Sequence, residues 1–373
     1  MPQIKPDIES FAKIKVVGVG GSGCNSVSRM VSQKLQGIDF IAINTDAQVL
    51  HYCKAPEKIL IGKNVTRGLG AGMNVELGRQ ACEESREEIE EALKGADMVF
   101  VTAGMGGGTG TPSAPIVADI AKSMGALTVA IVTKPFSFEG EQRAKIAEEG
   151  LAELKDKVDS LIVIPNDKIL TVVDDKVTLL NAFYYVDNIL SQGVQAISDL
   201  IIKPGIVNVD FADVKTIMKD SGWALMGIGR AKGESRIEEA ARAAINSPLL
   251  EVSIDGAKGV LFTIAGGEDL TMKEVDEGAK IITKSVDPAA KIIFGAVIDD
   301  TLRKNEVKVT VIATGFNNVP EIKSAKPIKE SFIFQKAEKE ESEKEEDSEE
   351  WDIPAFLRRK KVQEKDESDE KEE

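Results

Sequence analysis

The amino-acid sequence predicts an α/β protein with a doubly wound parallel-sheet domain, one long helix and a second α/β domain. Up to about Asp175, short apolar runs alternate with helical patterns. The apolar runs are continuous, which is typical of parallel strands covered on both faces. The helical pattern from Thr178 to Ile202 is too long for a crossover, so we expect it to connect the two domains.

The first domain is predicted to alternate between strand and helix, beginning and ending with a strand. In chain order its elements are Lys13–Val19, Asn25–Gln33, Asp39–Asn44, Glu76–Gly95, Ala96–Gly104, Pro112–Gly125, Ala126–Thr133, Glu141–Val158 and Ser160–Asn166. The second domain is predicted to contain strands Ala224–Ala231, Gly259–Gly267, Lys291–Asp299 and Val307–Phe316, and helices Arg236–Ser247 and Thr271–Val286. A hairpin-like connection is expected between its last two strands.

The expected division of the chain follows these patterns and the change of composition near its end. It comprises an N-terminal extension (1–12), the first domain (13–177), the long helix (178–205), the second domain (206–316), an acidic linker (317–350), an apolar and basic peptide (351–361) and a charged tail (362–373). The linker is expected to be disordered, because so charged a segment cannot bury enough apolar surface to fold.

Charge and composition argue against several functions. The net charge is −15, and residues 330–373, with 18 acidic and 9 basic side chains, contribute −9 of it. An acidic body argues against nucleic-acid binding. No apolar run is long enough to span a membrane, and the first ten residues do not resemble a signal peptide. Three separated cysteines and a single histidine, His51, indicate neither a zinc site nor a disulfide framework, so a reducing cytoplasm is expected.

Two glycine-rich loops each stand between a predicted strand and a predicted helix. "GVGGSGCN" (Gly18–Asn25) contains the pattern GxGxxG, and "VTAGMGGGTGTP" (Val101–Pro112) is the second loop. Glycine lets backbone N–H groups approach an anion, and the start of a helix attracts negative charge. Either loop alone could equally be a tight turn.

The two loops together favour a phosphate site. They follow the first and third predicted strands, whose carboxyl ends share one edge of the sheet. Two phosphate-binding loops at one edge of the sheet suggest that the ligand contains a chain of several phosphates. Neither loop contains the lysine of a P-loop, so N–H groups, helix dipoles and a metal ion would have to balance the charge. A third loop of small residues, "RGLGAGMN" (Arg67–Asn74), precedes another helix.

The segments "GVGGSGCN", "NTDAQVL", "GGGTGT" and "NVDFADV" resemble the FtsZ family of tubulin-like cell-division GTPases. The resemblance extends from Ile14 to Phe316 and includes the terminal peptide. It implies GTP or GDP and Mg²⁺ as ligands, and head-to-tail polymerisation of the chain with itself. One residue departs from the family pattern, because Pro112 stands where glycine is common and has no N–H to offer.

The resemblance also implies which residues contact the nucleotide. Phosphate contacts are expected at Gly21, Ser22, Gly23, Cys24 and Asn25, at Ala71 and Gly72, and at Gly106, Gly107, Gly108, Thr109 and Gly110. Contacts on the side of the sugar and the α-phosphate are expected at Thr133, Glu139 and Arg143, and Asn25 and Asn166 complete the base and ribose contacts. No side-chain ligand for the metal is predicted.

Phe183 and Asp187 are expected to read the base. They are four residues apart on the long helix, so they share one face. A ring at Phe183 can stack on a base, and a carboxylate at Asp187 can accept two N–H groups from guanine, a donor pair that adenine lacks. Without the glycine loops, a core Phe and a solvated Asp would be the better interpretation.

The resemblance assigns hydrolysis to the loop "NVDFADV", with Asn208, Asp210 and Asp213 as catalytic residues that face the GTP of the next subunit. Spacing alone indicates only two charges at a helix N-terminus. In this hypothesis, which we call the shared site, the GTP of one subunit is hydrolysed with the help of carboxylates from the next, which orient the attacking water. A head-to-tail contact that does not close into a ring gives a filament.

The terminal peptide is apolar and basic within acidic sequence. Its residues Asp352, Ile353, Pro354, Phe356, Leu357 and Arg358 resemble the family's binding peptide for membrane-tethering and regulatory division proteins. The resemblance implies a cytoplasmic filament at the mid-cell division site, without direct membrane insertion. Without the resemblance, the peptide would be interpreted as an isolated apolar cluster in a disordered tail.

Two other functions are compatible with parts of the sequence. An NAD-dependent oxidoreductase would use GxGxxG with Asp46 after the second strand, but the second glycine loop and the lack of a catalytic histidine argue against it. A GTP-binding tubulin relative could also act as a regulator that does not polymerise.

Overall fold

A computed structural model of the protein describes residues 12–170, 178–202, 207, 209–247, 250, 253–299 and 302–316. Asn208 of the predicted catalytic loop, the acidic linker, the terminal peptide and the charged tail lie outside the described residues. In the part that the structure describes, no helix combines the length and the apolar character needed to cross a membrane.

The described part contains ten strands, which form one sheet. They are β1 (Ile14–Val19), β2 (Ile38–Asn44), β3 (Glu57–Leu60), β4 (Met98–Gly104), β5 (Leu127–Lys134), β6 (Ser160–Pro165), β7 (Gly222–Lys232), β8 (Gly259–Gly266), β9 (Lys291–Ile298) and β10 (Glu306–Thr314). Their order across the sheet is β3-β2-β1-β4-β5-β6-β7-β10-β8-β9. All pairs from β3 to β7 are parallel, as the continuous apolar runs of the first half predict, and this prediction is confirmed.

Helices lie on both faces of the sheet. They are α1 (Gly20–Ser32), α2 (Ala47–Tyr52), α3 (Val75–Glu84), α4 (Arg86–Leu93), α5 (Gly110–Ser123), α6 (Glu141–Lys155), α7 (Asn166–Leu170), α8 (Leu179–Ile202), α9 (Phe211–Met218), α10 (Arg236–Ile245) and α11 (Met272–Lys284), with a 3₁₀ turn at Ser137–Glu139. The long helix α8 buries Leu190 and Ile197 in an apolar cluster that also holds Phe100 of β4 and Leu261 of β8. Both halves of the sheet therefore share a core through α8.

Short elements escaped prediction from the sequence. The helices α2 and α7 and the strand β3 are four to six residues long, too short to produce a periodic apolar pattern. The predicted helix Glu76–Gly95 is interrupted at Ser85, which separates α3 from α4. Ser85 is buried, and its hydroxyl accepts the N–H of Gly62 at 3.2 Å. A contact so distant in sequence leaves no local signal.

The expected hairpin-like pairing of the last two strands is wrong. β10 lies between β7 and β8 and runs antiparallel to both, whereas β9 pairs in parallel with β8 at the end of the sheet. Burial explains the order, because seven of the nine residues of β10 are buried, which suits a central strand. β9 has five exposed or half-exposed residues, which suit an edge.

Candidate functional site

The two glycine loops lie side by side at the carboxyl edge of the sheet. β1 and β4 are neighbours, with Val19 paired to Ala103, so α1 and α5 begin next to each other. A Cβ added to Gly20 would stand only 2.9 Å from the backbone nitrogen of Gly110. Glycine is therefore required at this contact, which joins the two loops into one surface.

The starts of α1 and α5 suit an anion. Within the described residues, neither helix has a capping side chain or an acidic residue in its first turn. In contrast, α2, α3 and α11 are capped by Asp46, Asn74 and Thr271. An uncapped start leaves N–H donors and the positive end of the helix dipole at the loop edge, where they favour phosphate.

The glycines of these loops differ in what surrounds them. Gly106 and Gly108 already donate their N–H groups within the protein, at 2.8 and 2.9 Å. A Cβ added to Gly21 or Gly107 would meet no described atom within 4 Å. Gly21 and Gly107 therefore border the open space in which a ligand has room.

The third loop closes the same site from the side of β2. The Gly72 carbonyl accepts the N–H of Gly108 at 2.9 Å, and Gly72 follows the buried Ala71. The hydroxyls of Thr45 and Thr109 lie 2.7 Å apart. Thr45 follows β2, and its carbonyl accepts the N–H of Gly70 in the third loop at 3.1 Å. The third loop therefore lies against the second glycine loop.

The first turn of α1 and the end of β5 lie against the start of the second loop. A Cβ added to Gly104 would stand 2.7 Å from Cβ of Ser22, and one added to Gly23 would stand 2.5 Å from the Thr102 carbonyl. The carbonyl of the buried Thr133 accepts the N–H of the residue after Gly104 at 2.9 Å. Ser22 and Thr133 thus flank the same segment of backbone.

Glu139 and Arg143 flank the second loop on its outer side. The Glu139 carboxylate accepts a hydrogen bond from the Arg143 guanidinium at 2.6 Å and another from the N–H of Phe136 at 2.9 Å. A Cβ added to Gly106 would stand 2.8 Å from the Arg143 carbonyl. The Arg143 side chain is 39% exposed, so its guanidinium has room to turn toward a phosphate.

Cys24 contributes backbone rather than charge to the first loop. Contact with the Cys53 thiol and complete burial raise the pKa of the Cys24 thiol well above its ordinary value. The thiol therefore stays protonated at neutral pH, and its bulk fills the space behind α1.

The predicted base-reading residues gather between α1, α7 and α8. Asn25 and Asp187 line one cleft. The Phe183 ring meets Phe136 edge-on, with 5.5 Å between the centroids. Asn166 is buried, and its Oδ1 makes no hydrogen bond with the described residues. Such an oxygen costs about 1–3 kcal/mol when it stays unpaired, so a donor from a ligand is expected here.

The predicted catalytic carboxylates lie at the other edge of the sheet. Asp210 and Asp213 are exposed at the start of α9, and the Asp210 side chain makes no capping hydrogen bond. The carbonyl of Met218, at the end of α9, accepts the hydroxyl of Ser160 at 2.6 Å. Ser160 begins β6, so α9 lies near the amino ends of the parallel strands.

The helix α8 gives the scale of this separation. From Asp187, Leu200 lies about 20 Å further along the helix at about 1.5 Å per residue. A Cβ added to Gly295 would stand 2.4 Å from Leu200 and 3.3 Å from Val209, the residue before Asp210. The carboxylates and the glycine loops of one chain are therefore on opposite sides of the molecule.

Two residues of this arrangement were missed in the sequence. The Ser26 hydroxyl donates to Asp187 at 2.6 Å, and nothing but its place just after the first glycine loop marks it. Gly78 lies inside α3, where an added Cβ would stand 1.8 Å from the Gly108 carbonyl. An isolated glycine within a helical pattern is a usable signal, since it often has a packing reason.

Comparison with known proteins places both halves of the chain in one family. Residues 13–174 match the GTPase domain of the Tubulin/FtsZ family, and residues 222–317 match the C-terminal domain of the FtsZ family. An empty FtsZ dimer from M. jannaschii is 51% identical over 82% of this chain and 88% of that chain, with a TM-score of 0.78. A mutant of M. jannaschii FtsZ is 50% identical over 82% of this chain and 92% of that chain, with a TM-score of 0.79.

A more distant relative shares the fold alone. GDP-bound monomeric CetZ1 from Haloferax volcanii is 23% identical over 83% of this chain and 96% of that chain, with a TM-score of 0.71. The family matches and the identity to FtsZ together show that this chain belongs to the Tubulin/FtsZ family and is a GTPase.

Proposed function

We propose that this GTPase polymerises head-to-tail into filaments of the cell-division ring, and that each GTP is hydrolysed between two subunits. The observation that carries the proposal is the separation of the glycine loops from Asp210 and Asp213, at opposite edges of one sheet. A chain with this geometry cannot bring its own carboxylates to its own phosphates. A head-to-tail neighbour can do so, and repetition of that contact gives a filament.

In this proposal the phosphates lie over the two helix starts and the third loop. The first turns of α1, which the sequence predicted as a loop, supply Gly21 to Asn25. The second glycine loop and the first residue of α5 supply Gly106 to Gly110, and Ala71 and Gly72 approach the γ-phosphate. The open space at Gly21 and Gly107 supports this placement. Thr133, Glu139 and Arg143 are assigned to the sugar and the α-phosphate.

The guanine base is assigned to the cleft of Asn25 and Asp187, next to Phe183 and Asn166. The unpaired Oδ1 of Asn166 supports a ligand donor at this position. The Asp187 carboxylate accepts the two N–H groups of guanine, so ATP, which lacks this donor pair, is rejected.

Asp210 and Asp213 of the neighbouring subunit, together with Asn208, are assigned to the attacking water. Their exposure supports a role outside their own chain. Among the described residues, no group of three His, Cys, Asp or Glu side chains could hold a metal ion. Mg²⁺ usually binds to substrate phosphates, water and at most one or two carboxylates, and here it would neutralise negative charge on the phosphates.

Exposed apolar side chains around the glycine loops support a protein contact there. Leu69 of the third loop is 78% exposed, and Phe138 beside Glu139 is 60% exposed. Large apolar groups at the rim of a polar site are typical of an interface. M. jannaschii FtsZ has been solved as a dimer, and this also supports self-association of the present chain.

The terminal peptide is proposed to bind membrane-tethering and regulatory division proteins, which would place the filament in the cytoplasm at mid-cell. Its sequence supports this role, because an apolar and basic segment stands within acidic sequence, 34 residues after the second domain. The peptide lies outside the described residues, so the proposal depends on its sequence alone.

The dependence of GTPase rate on protein concentration tests the shared site. The rate per molecule is expected to rise steeply with concentration, together with light scattering after addition of GTP and Mg²⁺. A rate per molecule that stays constant on dilution would contradict the shared site. Hydrolysis without scattering would instead favour the regulator that does not polymerise. Family membership already excludes the NAD-dependent oxidoreductase.

A further inference from the structure

The second glycine loop is enclosed by two helices that each have a glycine at the contact. In α3, a Cβ added to Gly78 would stand 1.8 Å from the Gly108 carbonyl. In α6, a Cβ added to Gly150 would stand 2.2 Å from Cγ2 of Thr111. Glycine inside a helix is destabilising, so its presence at both contacts indicates that close approach matters there.

These two close contacts lie beside residues that fix the backbone N–H groups of the loop. The Thr111 hydroxyl, beside α6, accepts the N–H of Gly106 at 2.8 Å. Gly108 is held between α3 on its carbonyl side and Gly72, which accepts its N–H at 2.9 Å. The distance between α3 and α6 therefore decides the shape of the loop that lies between them.

One ion pair spans this distance. The Arg79 guanidinium donates two parallel hydrogen bonds, each 2.7 Å long, to the two oxygens of Glu153. Arg79 follows Gly78 in α3, and Glu153 lies one turn after Gly150 in α6. A bidentate pair of this kind fixes orientation as well as distance. Arg79 lowers the pKa of Glu153, so the pair stays charged at neutral pH.

We propose that Arg79 and Glu153 are positioning residues for the nucleotide. Their bidentate ion pair, which we call the fork, holds α3 and α6 at a fixed separation. That separation keeps the second glycine loop in the shape that binds phosphate. This role rests on the proposed assignment of that loop to the phosphates. Neither side chain touches the nucleotide, and each acts through the backbone of the loop.

The chain offers a matched control. Lys157 and Asp119 form a second ion pair beside α6, at 3.0 Å, with side chains 42% and 41% exposed. The Arg79–Glu153 pair is similar, at 35% and 36% exposure. Asp119 lies about 13 Å along α5 from its first residue, so this second pair is remote from the loop.

The test is a titration of the nucleotide-free full-length chain with GTP, at concentrations too low for assembly, alongside thermal unfolding without nucleotide. Arg79→Gln and Glu153→Gln are each expected to raise the dissociation constant of GTP at least about fivefold. Asp119→Asn should change it by less than about twofold, because it breaks the exposed pairs with Lys157 and Arg86 and leaves the Arg79–Glu153 pair in place. The exchange Arg79→Glu with Glu153→Arg should restore affinity to within about twofold of wild type.

Wild-type affinity in both Gln variants, whatever their thermal stability, would overturn the proposal, and so would an exchange variant as weak as the single ones. If the Gln variants do not fold, Arg79→Lys keeps the charge without the fork, and an intermediate affinity is expected. If Arg79→Lys then binds GTP with wild-type affinity, the bidentate geometry of the pair is not needed for binding, and the proposal is rejected. If Gly107→Ala also binds GTP with wild-type affinity, the assignment of this loop to the phosphates is wrong, which is a separate result.

Discussion

The Ser26 hydroxyl donates a 2.6 Å hydrogen bond to Oδ1 of Asp187, and this bond joins α1 to α8. Ser26 is fully buried, so its hydroxyl does not exchange this partner for water. α1 carries the first glycine loop and α8 carries Phe183. The bond therefore fixes the proposed base-reading carboxylate relative to the proposed phosphate site.

Asp187→Asn is predicted to weaken GTP binding about 10- to 100-fold, because a hydrogen bond to a charged group is worth about 1.5–3 kcal/mol. Ser26→Ala should have a smaller effect in the same direction, since the carboxylate keeps its charge and loses its orientation. Competition between GTP and ATP measures both variants. Ser123→Ala, at the end of α5, is the control, because its hydroxyl donates to the Ile120 carbonyl within the same helix. An unchanged preference for GTP in Asp187→Asn would remove Asp187 from base recognition.

Gly21→Ala and Gly107→Ala test whether the two glycine-rich segments bind phosphate or only form tight turns. Both positions border open space, so the methyl group should leave stability unchanged or raise it by about 0.4–1 kcal/mol. The same methyl group would occupy the proposed phosphate position, so GTP affinity should fall. Gly108→Ala should lose stability as well, because its Cβ would stand 2.6 Å from the Gly72 carbonyl. Urea unfolding and GTP titration of all three variants provide the measurement, and full affinity in the first two would favour the tight turn.

Glu274 is predicted to stabilise the second half of the chain in a pH-dependent way. Its bonds to Arg236, at 2.6 and 3.0 Å, lower the pKa of its carboxyl group to about 2. A lowered pKa means stability that is fully present above the unfolded value of about 4.3 and is lost as pH falls toward 2. Glu274→Gln should therefore cost up to about 3 kcal/mol at pH 7 and progressively less below pH 4.

Urea unfolding of wild type and Glu274→Gln across this pH range measures the difference. Asp276→Asn, which breaks an exposed pair with Lys280 on the same helix, should change stability by less than about 0.5 kcal/mol. A cost of Glu274→Gln that does not shrink in acid would assign the effect to lost packing.

The sequence could predict that the two glycine loops lie at the same edge of the sheet, because one general rule applies to them. Parallel strands end at one edge, so loops after β1 and β4 had to meet, and the contact of Gly20 with Gly110 shows how closely they do. The order of β8, β9 and β10 could not be predicted in this way. It depends on which strand is buried on both faces, and the connection before Glu306 resembles a hairpin locally.

The side chains that join elements remote in sequence were not predictable from pattern. Ser26 meets Asp187, and Ser85 meets Gly62, across contacts that no periodicity encodes. The same limit applies to the fork of Arg79 and Glu153, which on the sequence are ordinary charges of two exposed helical faces.

Mixing two inactive variants is predicted to restore GTP hydrolysis. Asp213→Ala should bind GTP but supply no carboxylate to its neighbour, whereas Asp187→Ala should supply the carboxylate but bind GTP poorly. In a mixed filament, a productive junction pairs the GTP of the first variant with Asp213 of the second. An equal random mixture contains about a quarter of such junctions, so phosphate release should reach at most about a quarter of the wild-type rate.

The control replaces Asp187→Ala by the double variant Asp187→Ala with Asp213→Ala, which presents the same surface without the carboxylate. This second mixture should stay inactive, because every junction then lacks Asp213. If both mixtures are equally inactive while light scattering shows that filaments form, the carboxylate acts within its own chain. That result would contradict the separation of about 20 Å along α8, since the water-orienting group would have to reach phosphates on the far side of its own molecule. Recovery in the first mixture alone requires a site built from two chains.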